Sequence, residues 1–572
     1  MKFLQLRIIL FLIASTCSAN AQRVLCKELL GRSGSVSITL QMVFADSAEL
    51  RVLFGTNANN LNQQTAWHIG ADSMPLEVVI EPLNPNTQYY YKVQHRIPNG
   101  TTIITRPQFT FRTQRPPGEN FRFVVQADPH LDVQSDTALY ARCLQNQLED
   151  APDFMIDLGD IIMVDKCKNA SNQITRDTIE HRNKFMRSFY EIIGHSVPVM
   201  MAMGNHEAEA GWYLNNTPNN LAIWGTLERK KWFINPYPDG FFSGDTSQQP
   251  WVGQRESYYA WHWGDALMIV LDPYWHTSPK PDSLTGWRWT LGLHQYQWLK
   301  KTLENSTATY KFVFAHQLVG GDPDGRGGIE FAHRYEWGGS NLDGTYGFLS
   351  NRPGWYKPIK DLLKEHRVNI FFHGHDHFFG KQDLDCLVYQ ETPQPSHPNF
   401  TNTNYATAYG YLSGQILPQS GHLRVSVQPN GVRVEYVRAY LPQNESPTRH
   451  NKDVSASYFI PLQNCYDSLA LDIPVLWNKD YSDEIIYPNP FSESTTISFR
   501  CEKPELMTMI IYSANGKMVR QLMLNEPVVR GSYQLVWDGH DRLGRPLEVG
   551  NYFYRLTGNL GTYKTGKLCL TR

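Results

Sequence analysis

The sequence predicts a multidomain protein: an all-β sandwich at the N-terminal end, a central α/β domain, and a small all-β sandwich at the C-terminal end. Three observations predict it. Residues 22–115 alternate apolar and polar positions between turn residues, the pattern of half-buried strands. From Phe121 onward, short and continuously apolar runs are interleaved with helical stretches, as in a core whose strands are covered on both faces. From Ile485 the two-residue alternation returns, with Asn515-Gly516 and Asp538-Gly539 between apolar runs, which are hairpin turns. At 572 residues the chain also exceeds the roughly 250–300 residues at which a single core stops growing.

Lys2 and Arg7 lie around an apolar run, Ile8 to Ala14, that is followed by Ala19-Asn20-Ala21. This is the pattern of a secretory signal peptide over residues 1–21, with the mature chain starting at Gln22. The run is too short to span a membrane, and no later stretch approaches the roughly 20 apolar residues a spanning helix needs. No transmembrane segment is therefore expected in the mature chain. Beyond the leader stand Cys26, Cys143, Cys167, Cys386, Cys465, Cys501 and Cys569, without a C-x-x-C pair; an oxidising compartment permits disulfides among them without fixing which. Lys plus Arg number 53 against 55 Asp plus Glu, so no overall field favours nucleic acid, and an anionic substrate must be attracted locally.

In the N-terminal region the strand candidates include Ser35 to Val43, Ala48 to Phe54 and Leu76 to Ile80. The segment Leu83-Asn84-Pro85-Asn86-Thr87-Gln88-Tyr89-Tyr90-Tyr91 resembles the L-x-P-x-T-x-Y-x-Y signature of fibronectin type III domains, in which the first tyrosine makes a corner hydrogen bond. Arg115-Pro116-Pro117-Gly118 breaks both periodicities and ends the domain.

The central region offers buried strands at Phe121 to Val125, Phe154 to Leu158, Val197 to Met203, Leu267 to Leu271, Phe312 to Ala315 and Val368 to Phe372. Helical stretches fall at Thr137 to Leu148, His181 to Ile193 and Gln295 to Leu303. In such folds ligands gather at the carboxyl ends of the strands. The first strand runs into Asp128-Pro129-His130, and residues two apart converge on one ion if strand geometry persists. The second runs into Asp157-Leu158-Gly159-Asp160, where the glycine permits a sharp turn. Asp160 can bridge two cations about 3.5–4 Å apart through its two oxygens, while Asp157 reads as a supporting carboxylate. The third delivers Gly204-Asn205-His206-Glu207: Asn205 is a neutral oxygen ligand, and His206 suits a cation or acid facing a phosphoryl group. Two further strands end at His316 and at Gly374-His375-Asp376-His377, imidazoles suited to iron or zinc. His262, His294 and His373 read as ordinary core or surface groups.

The ordered set D-x-H, G-D, G-N-H-E, His and G-H-x-H resembles the calcineurin-like metallophosphoesterase superfamily over about Phe121 to Cys465. The domain in front makes it most similar to the purple acid phosphatase branch. The resemblance implies a β-sandwich flanked by helices and a phosphoester hydrolase, most simply a phosphomonoesterase, with a phosphodiesterase as close rival. It assigns Asp128, His130, Asp160 and His377 to one metal, and Asp160, Asn205, His316 and His375 to the other. The two ions would be divalent or of mixed valence, chosen among Fe, Zn and Mn. A water activated between them would attack phosphorus in line, with His206 stabilising or protonating the departing oxygen. Where that branch carries an iron-binding tyrosine this chain has Met163, so a colourless relative is expected, with His130 taking the vacated role.

Glycine pairs punctuate Val319 to Asn341, a candidate lid whose His333 and Arg334 would meet a small phosphorylated substrate. A second insertion, Glu209 to Gln254, rich in Trp, Tyr, Asn and Pro, would form another rim wall. The region opening with Tyr487-Pro488-Asn489-Pro490-Phe491 and ending in Lys567-Leu568 resembles the C-terminal sorting domain of the type IX secretion system. That implies export through the periplasm of a Gram-negative bacterium to the cell surface or medium, with the secretion machinery as partner. The expected divisions are 22–115, 119–465, a linker at 466–484, and 485–572. A surface-binding protein with an idle catalytic domain is the alternative from a different class.

Overall fold

The computed structural model describes residues 23–322, 324–462, 485–501, 504–514, 516–559 and 563–571. The expected signal peptide and the 466–484 linker lie outside these residues. The chain divides into two compact units, Met1–Leu471 and Asp472–Arg572.

The first unit opens with two facing sheets. Val24–Gly31, Ile38–Phe44 and Pro75–Ile80 form one; Ala48–Gly55, Gln88–Arg96 and Ile104–Arg112 form the body of the other. Their inward residues, among them Leu40, Val52, Val78, Tyr91 and Phe111, make a core of their own, as the alternation requires. The hydroxyl of Tyr89 accepts from the Asn84 N–H at 2.8 Å. This sandwich is not a detached module. Cys26, Leu29 and Val43 belong to the core of the central region. Arg187 donates to the Lys27 carbonyl at 2.7 Å, Leu30 N–H donates to Gly194 O at 2.8 Å, and Tyr91 donates to His195 O at 2.6 Å.

The central region is a sandwich of two mixed sheets. In the first, Val199–Met201, Phe154–Asp157 and Phe121–Gln126 run parallel, continued by the antiparallel Gly421–Gln428, Gly431–Arg438 and Val454–Pro461. In the second, Ala266–Val270, Tyr310–Phe314, Ile370–His373 and Leu387–Glu391 are parallel neighbours, with antiparallel strands beyond them. Between the sheets lies an aromatic core: Phe123 stacks on Phe154 at 5.4 Å and Phe314 on Phe372 at 5.0 Å. Outside it pack the helices α1 (Thr137–Glu149), α2 (Arg176–Tyr190), α3 (Leu221–Trp232) and α4 (Leu293–Glu304). Asp136 caps α1 through the Ala138 and Leu139 N–H groups, and Thr175 with Thr178 forms a capping box on α2, each satisfying donors the helix leaves unpaired. The expected strand from Val197 to Met203 is shorter, Val199–Met201, because the chain turns out of the sheet toward Asn205. The carboxyl ends of the parallel strands meet at one edge of the sandwich. No helix among the described residues is long and apolar enough to cross a membrane.

In the second unit, a three-stranded sheet (Ile485–Tyr487, Thr495–Cys501, Gly531–Trp537) accompanies a four-stranded one (Met518–Val528, Glu505–Ser513, Gly550–Gly558, Tyr563–Leu570). They share a core that includes Phe499, Ile511, Trp537 and Leu556.

Candidate metal centre

Five ligand candidates come to the centre in an unexpected way. Strand geometry does not persist to Asp128 and His130: the strand ends at Gln126, and the two residues have φ of 57° and 47°. Asp160, His375 and His377 likewise have φ of 58°, 79° and 71°. Left-handed backbone at a residue with a Cβ costs on the order of 1–2 kcal/mol, so the convergence is made by strained turns rather than by strand alternation. Glycines make the turns possible. A Cβ on Gly204 would sit 2.2 Å from Asp160 Oδ1, and one on Gly159 would sit 2.4 Å from the Gly204 nitrogen.

Two groups result, Asp128 with His130 and His377, and Asp160 with His316 and His375. His130 Nε2 lies 3.5 Å from Asp128 Oδ1 and 3.4 Å from Asp160 Oδ2. His377 Nε2 is 3.4 Å from Asp128 Oδ1. In the other group His316 Nε2 is 3.2 Å from Asp160 Oδ2, 3.2 Å from His375 Nδ1 and 3.1 Å from Asn205 Oδ1. Asp160 Oδ1 accepts the His206 N–H at 2.8 Å, which leaves Oδ2 facing both His130 of the first group and His316 of its own.

The donor set fits metal ions. Asp128 Oδ1, His130 Nε2 and Asp160 Oδ2 are buried and have no hydrogen-bond partner, an expensive arrangement unless a cation completes it. Two donors each about 2.1 Å from one ion at near-tetrahedral angles stand roughly 3.4 Å apart, which is the spacing found. The remaining polar atoms are used to aim these. Asp128 Oδ2 accepts the His375 N–H at 2.9 Å, His316 Nδ1 is 3.0 Å from the Leu158 carbonyl, and His375 Nε2 is 3.0 Å from the Asp324 carbonyl. Such bonds fix the tautomer that leaves the other nitrogen free to coordinate.

Electrostatics agree. Burial raises the Asp128 carboxyl, but His316 and His377 outweigh it and hold it far below the usual range. Burial likewise opposes charge on His130 and His316, yet the carboxylates push them up to about 10 and about 9. Burial prevails instead at His377, lowered to about 4, and at His375, lowered further by Arg326, so the centre combines carboxylates with imidazoles of both tendencies.

Glu207 and Asp165 carry weight that the motifs alone do not assign them. Glu207 accepts backbone N–H groups from Gly204, Asp160 and Ile161 at 2.5, 3.0 and 2.6 Å, tying the Asp160 and Asn205 turns together. Asp165 Oδ1 lies 2.6 Å from His206 Nδ1; only the proximity of an acidic residue after the G-D turn hinted at it. Asp157 accepts from Tyr190, Gln126 and the Gly159 N–H, a supporting place. His373 is buried 2.8 Å from Glu391.

A cavity of about 280 Å³ opens beside His206 and His375. His333 and Arg334, the residues expected to meet the substrate, stand elsewhere. Neither lines this cavity; Arg334 pairs with Asp322 at 3.6 Å and covers the Phe331 ring, while His333 is exposed. Arg326 does line it, drawn in because it donates to the His375 carbonyl and to Asp376 Oδ1. The Glu209–Gln254 insertion supplies Trp212, Tyr213 and Leu221 to the same cavity. Met163 is buried and stands in neither ligand group.

Comparison with known proteins agrees with this geometry. Residues 121–379 match the calcineurin-like phosphoesterase family, and residues 485–569 match the secretion system C-terminal sorting domain. Two curated Arabidopsis thaliana relatives, named probable inactive purple acid phosphatases 27 and 24, are 22% and 20% identical over 316 residues. Each match covers 54% of this chain but only 44% and 43% of the relative, so the chain spans less than half of their length. A solved structure of PhoD superposes with a TM-score of 0.55 at 13% identity, covering 76% of this chain and 90% of that one, a likeness of fold. Residues 121–379 are a calcineurin-like phosphoesterase domain, followed at residues 485–569 by a secretion-system sorting domain.

Proposed function

We propose that this protein is a secreted, metal-dependent phosphoesterase that hydrolyses phosphate monoesters at a dinuclear site. The observation that carries the reading is the meeting of bare, buried donor atoms from Asp128, His130 and Asp160 inside two contiguous ligand groups. Asp128, His130, Asp160 and His377 would hold one ion, and Asp160, Asn205, His316 and His375 the other. Iron, zinc or manganese bound there would neutralise phosphate charge and activate water. The chain's own residues would do the rest: His206, held by Asp165, would donate to the departing oxygen, and Arg326 would add a cation toward the phosphoryl group.

The test is turnover of chromogenic mono- and diester substrates with added manganese, zinc or iron, beside an Asp160→Ala variant. Metal-dependent monoester hydrolysis that the variant lacks is expected. Preference for the diester would reassign the substrate class, and no turnover on either would defeat the enzyme reading. The names of the curated relatives favour that second reading, a surface-binding protein whose catalytic domain is idle; the complete ligand set favours the first.

The proposed divisions are a signal peptide at 1–21, a fibronectin type III-like domain at 22–115, supported by the Tyr89 corner bond, a catalytic domain at 119–465, a linker at 466–484, and a sorting domain at 485–572. Export would cross the periplasm and be completed by the type IX machinery, supported by the match of the sorting domain.

A further inference from the structure

The cavity beside the metal centre has a wall that phosphoryl chemistry does not use. Besides Asn205, His206 and His375, it is lined by Trp212, Tyr213 and Trp289. These rings belong to one cluster. Trp212 meets Trp289 edge-on at 5.9 Å, Tyr213 lies 5.7 Å from Trp212, and Tyr274 touches both tryptophans at 6.2 and 6.0 Å. Tyr274 in turn sits 6.2 Å from the His316 ring, so the aromatic surface begins at a ligand candidate. Lys280 also lines the cavity, its ammonium 5.9 Å from the Trp212 ring, and it makes no ion pair among the described residues.

We infer that the substrate is a small phosphate monoester whose leaving group carries a planar aromatic or heteroaromatic ring, seated against Trp212, Tyr213 and Trp289 with Lys280 at an acceptor on its edge. The inference rests on the phosphoesterase reading and gives it a substrate class. About 280 Å³ lies just below the roughly 300–1,000 Å³ of small-molecule pockets, room for one ring system rather than a polymer. Aromatic rings favour another ring in offset or edge contact, whereas a leaving group made only of hydroxyls would find few polar partners on this wall.

The experiment compares adenosine 5′-monophosphate with ribose 5-phosphate. Both release a primary alkoxide, so their intrinsic reactivities match and any preference reports the ring. The wild type is expected to favour the nucleotide by about 10-fold in kcat/KM, carried by KM, as stacking of this kind supports. Trp212→Ala brings the ratio of kcat/KM for the two esters close to 1, and Trp212→Phe restores most of the preference. Adenosine titrated calorimetrically into the full chain needs no turnover and is expected to bind in a Trp212-dependent way. Equal kcat/KM for the two esters with no adenosine binding overturns the inference and leaves the phosphoesterase reading standing. Adenosine binding without hydrolysis of either ester overturns that reading and keeps the ring site.

Discussion

Asp165 illustrates how much a single side chain outside the motifs can decide. Its carboxylate lies 2.6 Å from His206 Nδ1, and burial, which would raise it, is outweighed by His206 and Lys166, so it is held at about 2. It therefore stays ionised across the working range and keeps its neighbour's ring oriented. Asp165→Asn is expected to lower kcat by about 10- to 100-fold, the share of an oriented acid, with bound metal unchanged by elemental analysis; a parallel fall in metal content would show that Asp165 supports the ligands instead. The two oxygens of Glu207 serve the backbone differently. They collect N–H groups from both ligand-bearing turns, and Glu207→Ala would leave those donors without a buried partner, at about 1–3 kcal/mol each. The expected result is a drop of several degrees in Tm with weakened metal affinity, read by calorimetry.

Among the elements, the insertion bearing the aromatic wall is anchored by a buried ion network. Glu209 pairs with Arg229 of α3 at 2.6 Å and with Arg255 at 2.8 Å, and Arg255 also pairs with Asp272. Burial pushes the Glu209 carboxyl up, but the two arginines prevail and hold it at about 2. A carboxyl lowered by folding stabilises above its unfolded value and loses that contribution as pH falls. The stabilisation, roughly 3 kcal/mol from a shift of this size, is complete above about pH 5 and disappears between about 4.5 and 2. Glu209→Gln should thus be much less stable than wild type in urea at pH 7, and the deficit should shrink as pH drops below 4; a constant deficit would refute the linkage. These elements also mark what the sequence could convey. Strands such as Phe154–Asp157 and helices such as α1 were legible because apolar periodicity is a local property, and the ligand candidates because each follows such a strand. Arg326, Asp165 and Trp289 were not. Their places depend on how loops fold back, which periodicity does not encode, and His333 and Arg334 drew notice only through lying in a Gly-rich loop.

At the scale of the whole chain the two β regions differ in kind. The N-terminal sandwich contributes Cys26, Leu29 and Val43 to the central core and receives Arg187 from α2, while Tyr190 of the same helix holds Asp157 behind the centre. Removing residues 23–115 should give insoluble or inactive protein. Removing residues after Ile485 should leave hydrolysis unchanged and retain the protein in the periplasm; unaltered export would refute the sorting assignment. Finally, the left-handed backbone at Asp128, His130, Asp160, His375 and His377 sets chemistry against folding. At on the order of 1 kcal/mol apiece, the five positions together consume a sizeable part of the roughly 5–15 kcal/mol by which a domain is stable. Glycine at any of them relieves the turn, and at His130 it also removes a buried nitrogen without a partner. At His130 that gain is outweighed, because the imidazole, pushed up to about 10 by Asp128 and Asp160, leaves two buried carboxylates uncompensated when it is removed, so metal-free His130→Gly is expected to unfold at a lower temperature than metal-free wild type. Ions bound between these turns would offset both the strain and the uncompensated charge, so a chelator is expected to lower the Tm of the full chain by several degrees, read by calorimetry.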